Sequence, residues 1–325
     1  MIGAGAFGRN HARVYHDLAQ QGESVRLAAV ADTDPARASS VAAEYGAPAA
    51  TLDGILAGNT IHAASVAVPT MHHLSVARRL MEAGVDVLIE KPLASSLAEA
   101  DELEQLAKRH GRVVQVGHLE RFNPAVQATV ELIHQPLFFE VHRLSVFTPR
   151  SLDVDVVLDL MIHDLDVVLS FVKSPVKEIR AVGLPVLTDK VDIANVRMEF
   201  ESGCVANFTA SRVSTERVRK IRFFQPHQYI SLDYGRQDVL VFTVDPQGTN
   251  PVPGFPDSQI KIAKPPVVAE EPLRSELKSF LSAVRARTTP LVSLEDGRRA
   301  LAVALEVLSE IESHSRKVDL PTLRT

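Results

Sequence analysis

Cysteine occurs once in the 325 residues, at Cys204. A lone thiol excludes an internal disulfide and any cysteine-based metal cluster, and it fits a reducing cytoplasm. Long apolar runs are missing: none approaches the roughly 18 residues of a membrane span. No basic segment followed by an apolar stretch opens the chain, so no signal peptide is expected. An excess of cations is also missing. Thirty-five Lys and Arg against 40 Asp and Glu give a formal net charge of −5. Nucleic-acid binding needs clustered cations to neutralise phosphates, so that class is disfavoured. Internal repeats and low-complexity tracts are absent as well. Hydrophobic residues make up 46% and charged residues 23%, an ordinary globular balance at a length that suits two domains.

The first third alternates apolar strands with helical patterns. Leu27–Ala31, Ala63–Val68, Val85–Ile89 and Val113–Val116 read as buried strands. Helices are expected over Ala36–Tyr45, Leu74–Ala83 and Ser96–His110. Ser95 or Ser96 caps the last of these, Glu99 stands at the capping-box position and Gly111 ends it. Continuous apolar strands separated by helices indicate a doubly wound parallel sheet, covered on both faces. Beyond about residue 118 the pattern changes. Helices over Pro124–Ile133 and Val156–Val172 precede a strand-rich stretch from Lys177 to Val244. Residues 245–272 hold seven of the 19 prolines and read as an irregular connection. An amphipathic pair, Glu271–Ala286 and Leu294–Ser313, closes the chain. The expected architecture is α/β: a dinucleotide-type domain over 1–118 and an α+β domain over 119–325 with a large open, mostly antiparallel sheet.

Gly3, Gly5 and Gly8 form G-x-G-x-x-G directly before a plausible helix, Asn10–Gln20. The first glycine permits a tight turn, the second a close approach to a pyrophosphate, and the third close packing of helix on strand. Asp32 ends the next strand, where an acid binds the adenosine ribose hydroxyls and disfavours a 2′-phosphate. NAD is therefore expected over NADP, although Arg37 nearby leaves some room for the latter. Only Met1 and Ile2 precede Gly3, so the first strand is expected to be stunted or to continue upstream.

Glu90-Lys91-Pro92 stands at a strand's carboxyl end, where doubly wound sheets bind ligands. Lys91 there either contacts a substrate hydroxyl and eases its deprotonation, or is a surface lysine in a turn. Pro92 is a candidate for a cis bond. Asp159, His163, Asp164 and Asp166 lie inside an apolar helical stretch. Asp159 and His163 are four apart and share a helix face, so the carboxylate can orient the imidazole for acid–base work. The alternative is a solvated polar face. Zinc is chemically possible, but no HExxH or cysteine cluster supports it, and no metal is expected. His72 and His73 follow Val68-Pro69-Thr70; being adjacent, at most one faces a cofactor. Arg121, Arg143 and Arg150 are candidates for an anionic substrate, with Arg143 the one best read as an ordinary surface arginine.

Together these residues resemble the Gfo/Idh/MocA oxidoreductases, and the resemblance spans nearly the whole chain. It runs through Gly3–His11, Pro69–His73, Ala83-Gly84, Glu90-Lys91-Pro92, Val116–Pro124, Asp159–Asp166 and Leu291–Ala300. The resemblance implies hydride exchange between a sugar-like secondary alcohol and nicotinamide. It implies catalytic roles for Lys91, Asp159 and His163. Cofactor contacts are implied from Gly3, Gly5, Ala6, Phe7, Gly8, Asp32, Val68, Pro69, Thr70, His73, Glu90 and Lys91. Substrate contacts are implied from Lys91, Arg121, Asn123, Arg150, Asp159 and His163. Met161 and Asp155 depart from the usual glycines, so a simple sugar or inositol should not be assumed. Gly117–Pro124 is similar to the corresponding segment of the UDP-N-acetylglucosamine 3-dehydrogenases. That similarity implies oxidation at C3 of a sugar nucleotide, an aminotransferase as pathway partner, and a homodimer or homotetramer built through the open sheet. A UDP-hexuronate, an inositol or a free aldose are the other substrates to weigh. A non-catalytic NAD-binding regulator, and a reductase of an imine or linear tetrapyrrole, are the other classes.

Overall fold

A computed structural model describes residues 1–58, 61–148, 154–244 and 260–318. The chain divides into two compact units: Met1–Phe122 with Glu271–Leu301, and Asn123–Glu270 with Ala302–Thr325.

In the first unit the chain runs α1 (Ala6–Gln20), α2 (Pro35–Glu44), α3 (Leu52–Gly58), β1 (Ala63–Val66), α4 (His73–Glu82), β2 (Asp86–Glu90), α5 (Leu97–His110) and β3 (Val114–Gly117). β1, β2 and β3 form a parallel sheet in that order. β2 is buried along its whole length, as expected of a parallel strand covered on both faces. The helix ends follow local chemistry. Asp34 caps α2 by accepting from Ala36 and Arg37, with Pro35 at its first position. Ser96 Oγ accepts from Glu99 N–H at the start of α5, and Glu99 reaches back to Ser95 N–H at 2.8 Å. Gly111 then ends the helix with φ +59°, a left-handed conformation that glycine adopts without a Cβ clash.

The expected strand Leu27–Ala31 is not a strand. Only Val30 and Ala31 make isolated bridges, to Ala49 and Ile2, and Ile2 also bridges to Val66. The physical reason is pairing: Ile2 divides its bridges between Ala31 and Val66, and the Met1 nitrogen donates to Ala29 O at 2.9 Å. Residues 25–29 and 61–65 thus flank a cavity of about 450 Å³. Burial pulls the Met1 amine down to about 5.

In the second unit, α6 (Pro124–Thr129) leads to β4 (Phe138–Val146). A five-residue π-turn, Val157–Met161, then runs into α7 (Ile162–Phe171). Next come β5 (Val176–Leu184), β6 (Ile193–Phe200), β7 (Val205–Ser214), β8 (Val218–Gln225), β9 (Gln228–Asp233), β10 (Asp238–Val244) and β11 (Ile260–Ala263). These form one eight-stranded sheet, β11-β10-β9-β8-β4-β7-β6-β5. All neighbours are antiparallel except β4 and β7. β11 corrects the expectation of an irregular connection through 245–272: Ile260–Ala263 pairs with β10 despite the flanking prolines. Residues 245–259 of that stretch lie outside the described residues.

Period-two burial gives the large sheet two unlike faces. Phe139, Val141, Phe208, Met198 and Phe223 point into the core, where Phe171 of α7 packs on Phe139 and Phe223. The other face carries Phe138, Phe224, Tyr229 and Phe242, neighbouring rings 4.9–5.7 Å apart across β4, β8, β9 and β10. Finally α8 (Pro272–Ala286) belongs to the first unit, while α9 (Leu294–Lys317) starts in the first and ends in the second. Among the described residues no helix is long and apolar enough to cross a membrane.

Candidate functional site

The first unit supplies the dinucleotide cradle. Gly3 has φ +91°, and a Cβ there would come within 2.5 Å of Ala67 O. At Gly8 a Cβ would fall 1.8 Å from Gly3 O, so only glycine lets α1 start this close to the turn. At Gly5 nothing lies within 4 Å of a built Cβ. Gly5 is also the N-cap of α1, with no side chain capping it and no acid in the first turn. Open space above unclaimed N–H groups at a helix start suits a pyrophosphate. These features fit the NAD that the sequence points to, with Gly3, Gly5, Ala6, Phe7 and Gly8 as its cradle. Asp32 is tied to the same turn: its carboxylate accepts from Ala4 N–H at 2.7 Å and from Asp34 N–H at 2.8 Å. Arg37 Nη1 lies 3.6 Å from it.

Val68, Pro69 and Thr70 follow β1. His73 is buried, with Nε2 3.0 Å from Val68 O and Nδ1 3.1 Å from Pro92 O. Burial lowers its pKa, against those carbonyls, which favour the charged form. Its ring therefore staples the end of β1 to the segment after Lys91; His72 is the exposed one of the pair. The Lys91–Pro92 bond is cis, and Lys91 is half-buried. Glu90 turns its carboxylate inward, 3.0 Å from His11 Nε2. His118, after β3, is fully buried. Burial first, then the charges of Arg121 and Lys91, bring its pKa down to about 3. Arg121 lies 3.9 Å from Asp296 and reaches the carbonyl of Leu291 at 3.4 Å. Leu291–Ala300 owes its pattern to packing. Ser293 and Asp296 form a reciprocal cap, and a Cβ at Gly297 would come within 2.7 Å of Val116 on β3.

The second unit holds Asp159 and His163, both half-buried, on either side of the junction between the π-turn and α7. π-turns recur at functional sites because they re-aim side chains within a helix. Asp155, one of the two departures from the usual pattern, anchors the turn: its carboxylate accepts from Val191 N–H at 2.9 Å. Asn123 caps α6 through Ala125 N–H and donates to Tyr234 O at 3.1 Å, so its amide has structural partners. Arg150 lies outside the described residues.

Arg143 corrects the sequence reading. It is a buried arginine, not a surface one, and it grips Asp164 with two bonds of 2.6 and 2.9 Å. Its guanidinium also sits 5.1 Å from the Tyr234 ring centre. The signal was present: Phe139, Val141 and Arg143 alternate along β4, and Asp164 stands in an apolar helix. A second group sequence reasoning missed lies in the first unit. His11, Glu90 and Glu276 are all buried and present ligand-type atoms within 4.8 Å of one another, the one such cluster among the described residues.

With this geometry established, comparison with known proteins places the chain. Residues 1–118 match the oxidoreductase family with the NAD-binding Rossmann fold, and residues 134–225 match the Gfo/Idh/MocA C-terminal domain. The chain belongs to the Gfo/Idh/MocA oxidoreductase family: an NAD-dependent dehydrogenase with a Rossmann domain and a large, mostly antiparallel sheet. It is 38% identical over 318 residues to the UDP-N-acetylglucosamine 3-dehydrogenase of Acidithiobacillus ferrooxidans, covering 96% of both chains. A solved structure of that protein superposes with a TM-score of 0.89 at 37% identity, again over 96% of each chain. An inositol 2-dehydrogenase of Rhizobium meliloti is 26% identical over 322 residues, 94% of this chain and 93% of its own. A levoglucosan dehydrogenase solved with NADH shares the fold at a TM-score of 0.83 and 17% identity, over 96% of each chain.

Proposed function

We propose that the protein oxidises the C3 hydroxyl of UDP-N-acetylglucosamine. The observation that carries this reading is the 38% identity to the Acidithiobacillus ferrooxidans enzyme across 96% of both chains. The similarity of Gly117–Pro124 supports it.

Bound NAD supplies the hydride acceptor at nicotinamide C4. The chain's own residues do the proton chemistry. His163 takes the hydroxyl proton as C3 gives up its hydride, so the alcohol leaves as a ketone and one proton stays on the imidazole. Asp159, one helical turn before it, orients that imidazole and stabilises its cation. Lys91, at the carboxyl end of β2, donates to the reacting oxygen and holds it in place. Arg121 and Arg150 are the residues proposed for the anionic part of the substrate.

The ketone formed is a substrate for amination, so an aminotransferase is the expected next enzyme, acting in the cytoplasm. The ring-rich outer face of the large sheet, Phe138, Phe224, Tyr229 and Phe242, is the proposed contact between copies in a homodimer or homotetramer.

The test is NADH formation from NAD and UDP-N-acetylglucosamine, with an aminotransferase present to draw off the ketone. Lys91→Ala and His163→Ala should each lower turnover by about 10² or more. Near-wild-type turnover in both would remove these roles. The inositol dehydrogenase relative sets the second reading. No turnover with bound NAD confirmed would discard the sugar nucleotide and leave inositols, hexuronates and free sugars to be tried in its place.

A further inference from the structure

The reading of Lys91 leaves unexplained the buried charges behind it. His11 comes from α1, Glu90 from the last position of β2, and Glu276 from α8. His11 and Glu276 are 0% exposed and Glu90 7%. His11 and Glu276 stand where apolar residues belong. His11, Val14, Tyr15 and Leu18 form one buried stripe, and Leu273, Glu276, Leu277 and Phe280 form another. Leucine or methionine at either position would complete a stripe without the cost of burying a polar group.

The seat for the Glu90 carboxylate is built. Glu90 pairs with Gly117 across β2 and β3, and a Cβ on residue 117 would come within 2.6 Å of Glu90 Oε1. Glycine there leaves the room the carboxylate occupies. His11 Nε2 approaches it at 3.0 Å. Of the neighbouring polar groups, Tyr15 bonds Ser65 at 2.7 Å, and Gln115 donates its amide to the backbone carbonyl of Glu276 at 3.1 Å while its Oε1 is itself without a hydrogen bond among the described residues. Both ring nitrogens of His11, Oε1 of Glu90 and both oxygens of Glu276 are buried without an aligned hydrogen bond among the described residues. Burial, then the Glu90 charge, hold Glu276 well above the usual carboxyl range. That shift favours its protonated form, which has an O–H to donate. Tyr15 feels the charges of Glu276 and Glu90, His73 and His118 feel that of Glu90, and Lys91 acts on His118.

We propose that His11 and Glu276 are positioning residues that clamp the Glu90 carboxylate from two helices, and so fix the direction in which Lys91 leaves the strand. The proposal rests on the catalytic role given to Lys91. His11 Nε2 faces Glu90 Oε1 at 3.0 Å, and a Glu276 carboxyl oxygen lies within 4.8 Å of both, so small rotations of these side chains bring a donor to the carboxylate from each helix. The backbone carbonyl of Glu90 and the amide of Lys91 are then held at the strand's end.

The test compares His11→Ala, Glu276→Leu and Glu276→Gln, each confirmed folded by circular dichroism. His11→Ala and Glu276→Leu should lower kcat tenfold or more, with the sugar KM and the NAD Kd within threefold of wild type. Glu276→Gln, which keeps a neutral donor, should recover kcat to within about threefold. A second readout needs no substrate: the pH dependence of Lys91 acylation, followed by peptide mass spectrometry with exposed Lys108 as internal control. The apparent pKa of Lys91 should move by half a unit or more in His11→Ala and Glu276→Leu, and not in Glu276→Gln. Unchanged kcat and unchanged Lys91 labelling would overturn the proposal. So would a Glu276→Gln variant as impaired as Glu276→Leu. A stabilisation by Zn²⁺ or Mn²⁺ that Glu276→Gln abolishes would also overturn it, since the three residues would then be a metal site. If the wild type oxidises no sugar, the functional reading fails on its own, and the labelling still decides this one. Should Glu276→Leu not fold, His11→Ala and Glu276→Gln decide it.

Discussion

Each unit buries ionisable side chains, and the two sets are built on opposite plans. In the second unit, Arg143 and Asp164 meet through a two-bond fork, and Tyr234 lies beside the guanidinium. In the first, His11, Glu90 and Glu276 face one another with few aligned bonds. A buried charge with every bond made is an anchor whose removal shows up as lost stability. A buried polar set with bonds to spare is better explained by what it holds in place, here the strand end that carries Lys91. The difference teaches that burial alone does not sort structural from functional polar groups. The count of satisfied bonds does.

The sharpest way to break this contrast is Asp164→Ala. It strands the Arg143 guanidinium in the core and should cost about 3–5 kcal/mol in denaturant unfolding. Replacing both partners, Arg143→Met with Asp164→Leu, should recover most of that loss. If the single and double variants are equally unstable, the pair is not acting as a unit.

A smaller effect should follow from pH. The unfolded imidazole of His118 titrates near its ordinary value of 6.5, while the folded one stays neutral down to about 3. Between these values the unfolded state binds the extra proton, so stability falls as pH drops below about 6.5, by at most about 1.4 kcal/mol per unit. His118→Gln should flatten that fall by about 2 kcal/mol between pH 7 and pH 5. Parallel curves for the two proteins would show that His118 is not the group responsible.

The smallest stability effect is expected at Glu276. Glu276→Leu fills an apolar stripe and should change unfolding free energy by about 1 kcal/mol or less, even as turnover falls. A loss as large as that of Asp164→Ala would erase the distinction between the two sets.

Much of the fold was legible because it is written locally. The glycine turn, the caps at Ser96 and Gly111, and the apolar run of β2 each need only neighbouring residues. Leu27–Ala31 misled because its composition says strand, whereas a strand also needs a partner, and Ile2 offers one bridge on that side. β11 was hidden by the prolines around it. At the site, Lys91, Asp159 and His163 stood out through motif spacing, and the polar interruptions at His11, Arg143 and Glu276 were visible one at a time. What no local pattern conveys is which of them meet. Glu90 finds His11 and Glu276 only because α1 and α8 lie on the same side of β2, and those helices come from opposite ends of the sequence.

That arrangement has a consequence for how the protein is made. The first unit takes Glu271–Leu301 to complete it, and Leu273, Leu277 and Phe280 of α8 pack with Val14, Tyr15, Leu18 and Leu88. A ribosome adding about 5–20 residues per second emits the whole eight-stranded sheet before it delivers α8. For roughly 10–30 seconds the nascent Rossmann unit therefore lacks the helix that covers this side of β2. During that interval the stripe of Val14, Tyr15 and Leu18 is open to chaperones and to misassociation, and synthesis speed through the second unit sets how long the exposure lasts.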